Sequence, residues 1–393
     1  MRLLPLSEAP HPADAEKELS RLLGQTFSFP EESWEPYVQQ VGRENFRVLL
    51  DDRARVVAGL GVYRPGQWFG GRSIPMGAIA AVGVQPELRG SGIAFELMSG
   101  ILRELHATGV PLSALYASTS RLYRKVGYEH AGSACIYETS TQDLGNPSEG
   151  DPLQAVDPQE HDRFRDIYQT AARLSNGWLD RTPGMWTRIS RKQAGTTHAY
   201  LSGGRYPSGY IIYEQREDDA GKRKVLSVRD WIALTPGARR GILKLLAGHR
   251  SLESAVRWRG PFVDPWISLF PEQRTRGISI ERWLLRITDV VAALNARGYP
   301  PELNESLDLT VVDETISENS GQYHLEVSQG RGRVTAGGSG GLTLSVRALA
   351  PLYSGFHRSE ELASLGWIEG DERSLQAAAR IFAGPEPWMP DGF

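Results

Sequence analysis

Apolar positions along the chain follow two rhythms, one of about 3.6 residues and one of 2, and in the first 145 residues these rhythms alternate. Leu19, Leu22 and Leu23 fall at helical spacing and predict a helix over Ala15–Phe27. Phe46–Asp51 and Val56–Tyr63 are apolar and β-branched around the polar pair Asp52-Arg53, which predicts two paired strands. Ile79–Val84 is a near-continuous apolar run, as a strand buried on both faces requires. The polar stretch Gln85–Ser91 follows. Ile93–Ala107 then places Leu97, Met98, Ile101, Leu102 and Leu105 on one helical face, and Gly109-Val110-Pro111 ends that helix. Leu112–Ala117 predicts a strand, Arg121–Val126 a short helix and Ser133–Glu138 another strand.

Gln142–Asp157 carries Gly145, Asn146, Pro147, Gly150 and Pro152 and reads as a linker. Between about 155 and 278 the rhythm returns: a helix at His161–Ala172, strands at His198–Leu201, Gly209–Tyr213 and Val225–Ala233, a loop at Thr235–Gly241 and a helix at Ile242–Arg250. Strand, polar Gly/Arg loop and helix recur in the same order, which predicts an internal duplication. The texture changes near Ile280. Trp283–Ile287, Leu307–Val312, Tyr323–Val327 and Leu342–Val346 predict strands. Val290–Ala296, Ala348–Tyr353, Glu360–Ser364 and Leu375–Phe382 predict helices, together a small α+β domain. The run Gly337-Gly338-Ser339-Gly340-Gly341 lacks the Lys and Ser/Thr of a phosphate loop and is expected to be a hairpin turn.

A chain of 393 residues has room for two or three domains. Its formal net charge of −3 provides no basic field for a nucleic acid. Cys135 is the single cysteine, so no internal disulfide is available. The N-terminal apolar run is short and broken by Pro5, and no window approaches the roughly 20 apolar residues of a membrane span. These features lead us to expect a cytoplasmic protein with no membrane or nucleic-acid partner. The eight histidines lack zinc-ligand spacing, so no metal is expected.

The densest chemistry lies in Val82-Gly83-Val84-Gln85-Pro86-Glu87-Leu88-Arg89-Gly90-Ser91-Gly92-Ile93-Ala94. A buried strand enters a loop that starts an amphipathic helix. Amide groups at such a helix start lack internal acceptors and, with the helix dipole, attract an anion. Gly90 and Gly92 let the backbone approach a diphosphate, and Arg89 adds charge. One helix and one strand later comes Leu122-Tyr123-Arg124-Lys125-Val126-Gly127-Tyr128.

The R-x-x-G-x-A pattern of Arg89–Ala94 and the later Tyr123 motif resemble the coenzyme loop and tyrosine helix of GNAT acetyltransferases. Together with Arg282–Val290, Ala293–Tyr299, Leu349–Leu352, His357-Arg358 and a terminal phenylalanine, they resemble the Eis family of GNAT aminoglycoside N-acetyltransferases along nearly the whole chain. The resemblance implies two tandem GNAT-type α/β domains, 1–145 (catalytic) and 150–279 (without acetyl-CoA), then a sterol-carrier-protein-like α+β domain, 280–393, whose tail reaches the active site. It implies acetyl-CoA as co-substrate, a small-molecule amine as acceptor and a homo-oligomer, with a hexamer as one candidate. Carried over position by position, the general acid is Tyr123 and the general base the α-carboxylate of Phe393. Val82 and Val84 supply backbone contacts to acetyl-CoA, and Arg89, Gly90, Gly92, Ile93 and Ala94 hold the diphosphate. Ser118 lies beside the coenzyme. Phe27, Trp34 and Asp391 are the acceptor-site candidates.

The residues are consistent with direct attack by the amine. Ala78–Val84 contains no Asp or Glu to take the amine's proton, so another group must do so. Cys135 lies on a predicted strand with no neighbouring base, which disfavours an acetyl-cysteine step. Two other functions stay open: a protein-lysine acetyltransferase, and a non-catalytic acyl-CoA- or lipid-binding scaffold.

Overall fold

In the computed structural model, which describes residues 1–147, 149–191, 197–218, 221 and 223–393, strands and helices follow the apolar pattern closely. The elements of the first stretch are β1 (Arg2–Pro5), α1 (Pro12–Phe27), α2 (Trp34–Val41), β2 (Phe46–Leu50), β3 (Val56–Tyr63), β4 (Gly66–Phe69), β5 (Arg72–Val84), α3 (Ile93–Ala107), β6 (Leu112–Tyr116), α4 (Ser120–Lys125) and β7 (Glu129–Ser140). Next come β8 (Leu153–Val156), α5 (Asp162–Ala172), β9 (Leu179–Asp180), α6 (Pro183–Ser190), β10 (Thr197–Ser202), β11 (Gly209–Glu217), β12 (Lys224–Ala233), α7 (Pro236–Gly248), β13 (Ala255–Gly260) and β14 (Arg276–Ile287). The last stretch holds α8 (Val290–Ala296), β15 (Glu305–Val312), β16 (Gly321–Ser328), β17 (Arg331–Ala336), β18 (Leu342–Ser345), α9 (Val346–Ser354), α10 (Ser359–Ser364), β19 (Ile368–Gly370) and α11 (Glu372–Ile381). No helix among the described residues is long and apolar enough to cross a membrane.

The chain divides into two compact units, and they cut across the linear stretches 1–145, 150–279 and 280–393. The first unit comprises Met1–Gly132, Arg282–Pro387 and Gly392–Phe393; the second comprises Ser133–Glu281 and Trp388–Asp391. Strand exchange explains the cut. In the first unit the sheet runs β1-β2-β3-β5-β6 and is continued by Trp283–Ile287 of β14, antiparallel to β6. In the second unit it runs β8-β10-β11-β12-β13 and is continued by β7, with Cys135–Ser140 antiparallel to β13. Each repeat thus surrenders its last strand to the other's sheet, which no local periodicity could reveal.

In the first unit, α3 crosses between the parallel strands β5 and β6. Its face Leu97, Met98, Ile101, Leu102 and Leu105 is at most 1% exposed and forms the core with Leu60, Val62 and Leu115. A second sheet in this unit, β17-β16-β15-β18-β19, is covered by α8, α9 and α11. The glycine run 337–341 is not a hairpin turn: it leaves edge strand β17 and enters β18, which pairs parallel with β15. Asp308 steadies this crossing by accepting the Ser339 hydroxyl, the His324 ring at 2.6 Å and the Ser339 N–H at 2.9 Å. These bonds hold its carboxyl down at about 2.

In the second unit the expected loop Thr235–Gly241 is already helix. Pro236 supplies a preset φ at the first helical position, and Thr235 Oγ1 caps the Ala238 N–H at 3.1 Å. The expected linker Gln142–Asp157 contains a short helical turn, Thr141–Leu144, and strand β8; its Ser148 lies outside the described residues.

Candidate active site

The site begins where two neighbouring strands part. β5 and β6 pair in parallel only at Met76–Ala78 with Leu112–Ala114. Beyond Ala78, β5 pairs with β3 alone, while β6 continues beside β14 to Tyr116. The gap widens toward the C-terminal ends of both strands, where the β5–α3 loop emerges.

β5 also carries a bulge on this side. Gly61 pairs with Ala80 and Gly59 with Gly83, so the single Leu60 faces both Ala81 and Val82. Ala81 takes φ +52°, a left-handed conformation that a residue with a Cβ adopts at a cost of about 1–2 kcal/mol. The bulge breaks the regular alternation of amides at Ala81–Val82, at the edge of the fork.

The loop after β5 ends at Gly92, which serves as N-cap of α3. Gly90 and Gly92 have φ +82° and +91°, and a Cβ at either would meet no atom within 4 Å. Their backbone therefore faces open space. That space is a cavity of about 600 Å³ lined by Val84, Arg89, Gly90, Gly92, Ile93 and Ala94 on the loop side. Thr119, Arg121, Leu122 and Lys125 from the α4 side close it. Arg121 and Lys125 stand one helical turn apart and add two cations to that of Arg89. The expectations from sequence did not include them; their spacing of four ahead of Gly127 was the available signal.

Tyr123, on the same short helix, is 6% exposed and meets Tyr128 edge-on at 6.0 Å. Burial pushes its phenol up to about 12, so it keeps its proton at neutral pH. Tyr128 is fixed by a 2.7 Å hydrogen bond with Ser113 Oγ, which also donates to Gly77 O at 2.8 Å. The end of α4 is held by Arg286 Nε, which donates to Val126 O at 2.8 Å. Arg124 and Arg347 bracket the buried Glu129 at 2.7 and 2.5 Å.

Phe393 lies at the same fork. Its ring meets Tyr116 at 5.6 Å and Tyr63 at 6.3 Å, both edge-on. Tyr63 pairs with Ala78, and Ala78 with Ala114, so this level of the sheet is where β5 and β6 separate. The cavity thus joins Val84 and the Arg89–Ala94 loop to α4, while Phe393 lies against Tyr63 and Tyr116, and Tyr123 lies in the core under α4 with Val82 packed against it. Ser118 is exposed in the β6–α4 connection beside the lining residue Thr119.

The fold is shared with known proteins. Models of acetyltransferase (GNAT) domains match residues 12–131 and 177–287, and a sterol carrier protein domain model matches 290–390. A GCN5-related N-acetyltransferase from Anabaena variabilis is 38% identical, with a TM-score of 0.95 and 100% of each chain covered. The chain belongs to the GCN5-related N-acetyltransferases. The N-acetyltransferase Eis of Mycobacterium tuberculosis is 26% identical over 80% of this chain and 79% of its own. Eis1 of Mycobacterium abscessus, at 21% identity, shares the fold with a TM-score of 0.82 over the full length of both. The duplication inferred from the repeated rhythm is thus a pair of acetyltransferase domains, and the change near Ile280 marks the sterol-carrier-like domain.

The acceptor candidates of this acetyltransferase part company. Trp34 lines a groove of about 890 Å³ between α1 and α2, with Glu16, Glu31, Glu32 and Glu35. Its indole donates to Glu16 at 3.1 Å, and Arg43 pairs with both Glu16 and Glu35. Phe27 ends α1 and stacks on Phe29 at 5.5 Å; Phe29, not Phe27, lines the groove. Asp391 must be corrected. It is 7% exposed in the second unit, where Arg181 Nε donates to its Oδ1 at 2.9 Å. A carboxylate enclosed and paired in this way is not available to a diffusing amine.

In the second acetyltransferase domain the start of α7 borders a cavity of about 650 Å³, and Asp151 lines it beside Thr235 and Gly237. Asp151 sits on the start of α7: a Cβ on Gly237 would come within 2.2 Å of its Oδ1. The Asp151 N–H donates to Gly237 O at 3.0 Å, and Thr235 Oγ1 donates to Asp151 Oδ2 at 3.4 Å.

Proposed function

We propose that this acetyltransferase moves the acetyl group of acetyl-CoA onto a primary amine of a small cationic molecule, aminoglycoside-like or another amine, by direct attack in a ternary complex. The observation that carries this reading is the fork of β5 and β6 with an open glycine loop on one side and Phe393 on the other. The residues fit the coenzyme, because nothing within 4 Å fills the space beside Gly90 and Gly92. When bound, it supplies an acetyl thioester at the fork. The amides of Gly90, Gly92, Ile93 and Ala94, with Arg89, hold the diphosphate. The bulged amides near Val82 hold the acetyl oxygen. Tyr123 keeps the proton that the departing thiolate takes. The α-carboxylate of Phe393, free when Phe393 is the last residue, accepts the proton that the attacking amine gives up.

Direct attack is further supported by Cys135. It is 3% exposed in the second unit, and burial pushes its thiol up, away from the thiolate that a covalent step needs. A cationic acceptor is supported by the groove beside Trp34, where Glu31 and Glu32 add exposed carboxylates. Asp151 supports a second domain that binds no coenzyme, because its carboxylate holds the place a phosphate would take.

The test is release of CoA thiol over a panel of aminoglycosides, polyamines, monoamines and lysine peptides. Faster turnover with the multiply charged small amines supports the proposal; release by none of them, or by peptides alone, overturns it. Gly92→Ala is expected to raise the acetyl-CoA KM about tenfold, since a left-handed alanine costs about 1–2 kcal/mol and its methyl enters the cavity. Unaltered KM with normal folding would remove the diphosphate from this loop.

A further inference from the structure

The cavity beside the glycine loop is bordered by cations and by no Asp or Glu. Arg89 stands on the loop side, Arg121 and Lys125 on the α4 side, and all three are exposed. No ion pair among the described residues claims any of them, whereas Arg124, on the same helix, is held by Glu129 at 2.7 Å. The chain as a whole carries a formal net charge of −3, so this is a local positive field on an acidic protein.

The helix itself gains nothing from Arg121. Ser120 is the first residue of the six-residue α4 and Arg121 the second, so the guanidinium stands at the positive end of the helix dipole, where no acid offsets it. Lys125 suits the opposite end, but it lies four residues from Arg121, and like charges at that spacing weaken a helix. An anion held by both side chains relieves both penalties.

The coenzyme offers such an anion. Its diphosphate already has the loop amides and Arg89. Its adenosine carries a further phosphate at the 3′ position, a monoester with a charge of about −1.5 to −2 at neutral pH. Arg121 and Lys125 match that charge, and Thr119 on the same side adds a hydroxyl that can donate. Phe95, on the first turn of α3, is 44% exposed and lines the cavity with Leu88 and Leu122, an apolar surface suited to the purine.

We propose that Arg121 and Lys125 form the binding site for the 3′-phosphate of the coenzyme, so that the enzyme distinguishes acetyl-CoA from acyl donors lacking that group. This rests on the reading of the cavity as the coenzyme site and adds a specificity that the loop alone does not give. The loop amides and Arg89 meet a diphosphate that CoA and 3′-dephospho-CoA share; only the α4 side can tell the two apart.

The experiment is calorimetry of the full chain, without acceptor, against CoA and 3′-dephospho-CoA. The parent is expected to bind CoA about 10- to 100-fold more tightly, as two charge-assisted contacts to one phosphate should give. In the double variant Arg121→Ala/Lys125→Ala, the Kd for CoA should rise by that factor, while the Kd for 3′-dephospho-CoA stays within about threefold of the parental value. Both side chains are exposed, so the fold should tolerate their loss, and the comparison of the two ligands on the parent needs no substitution at all. Added salt should narrow the parent's preference for CoA. Gly92→Ala, which touches the diphosphate, should weaken both ligands by the same factor. Equal parental affinity for the two ligands overturns the 3′-phosphate site and leaves the loop reading standing. A double variant that weakens both ligands alike, or that keeps the parental preference, overturns it too. Binding of neither ligand to the parent removes the coenzyme reading itself, and this proposal with it.

Discussion

Tyr123→Phe is expected to lower kcat about 100- to 10,000-fold while leaving the acetyl-CoA KM and the thermal midpoint close to those of the parent. The substitution removes one oxygen. The ring keeps its edge-on contact with Tyr128 and its place in the core under α4. What disappears is a proton that burial retains up to about pH 12. The same raised value fixes the alkaline behaviour. A free tyrosine loses its proton near 10, so between about pH 10 and 12 the unfolded chain ionises first and the folded state loses stability as pH rises. Activity should therefore show no limb from Tyr123 between pH 6 and 9, and none of the limbs present should move in Tyr123→Phe. Thiol release followed across that range checks both statements. A kcat within about threefold of the parent would remove Tyr123 from the chemistry.

Asp313→Ala is expected to destabilise the first unit by about 3–5 kcal/mol, the cost of leaving a buried guanidinium unpaired. Arg286 is 0% exposed and Asp313 5%. Arg286 Nη2 donates to both carboxylate oxygens, at 2.8 and 2.7 Å. The same carboxylate accepts from the N–H groups of Thr315 and Ile316 at 3.0 and 3.1 Å and from Asn319 at 2.9 Å. No water could replace that many partners. Because Arg286 Nε also holds Val126 O at the end of α4, the damage should reach Tyr123, and kcat should fall along with stability. Gly127 is part of the same joint: at φ +89°, its Cβ would press within 2.8 Å of Arg286 Nε. Asp313→Asn keeps acceptors but not charge and should lose less. Urea titration of both variants checks the order, and an Asp313→Ala midpoint equal to that of the parent would contradict it.

Much of this was legible in the sequence because it is local. The α3 face is written in Leu97, Met98, Ile101, Leu102 and Leu105, and the helix begins and ends where the apolar spacing does. The loop was legible because Gly90 and Gly92 require positive φ. Short elements escaped: β1, β4 and β19 span three or four residues, too few for a period to register. The first half of β14, Arg276–Arg282, is exposed, and only Ile278 and Ile280 alternate there with polar residues, too short a run to register. Long-range pairing escaped as well. Asp391 stands near the chain end as an acceptor-site residue should, but Arg181, 210 positions earlier, claims it. Nothing in the residues around either one marks that pairing. The exchange of β7 and β14 is of the same kind, since the partner of a strand is chosen by the whole sheet.

Asp151 has a consequence for ligand counting. Two copies of one architecture would, if both were open, titrate with two equivalents of coenzyme. With a carboxylate built onto the first turn of α7, calorimetry with CoA should instead saturate at one equivalent per polypeptide, and a diphosphate-bearing inhibitor should meet no second berth to dilute its dose.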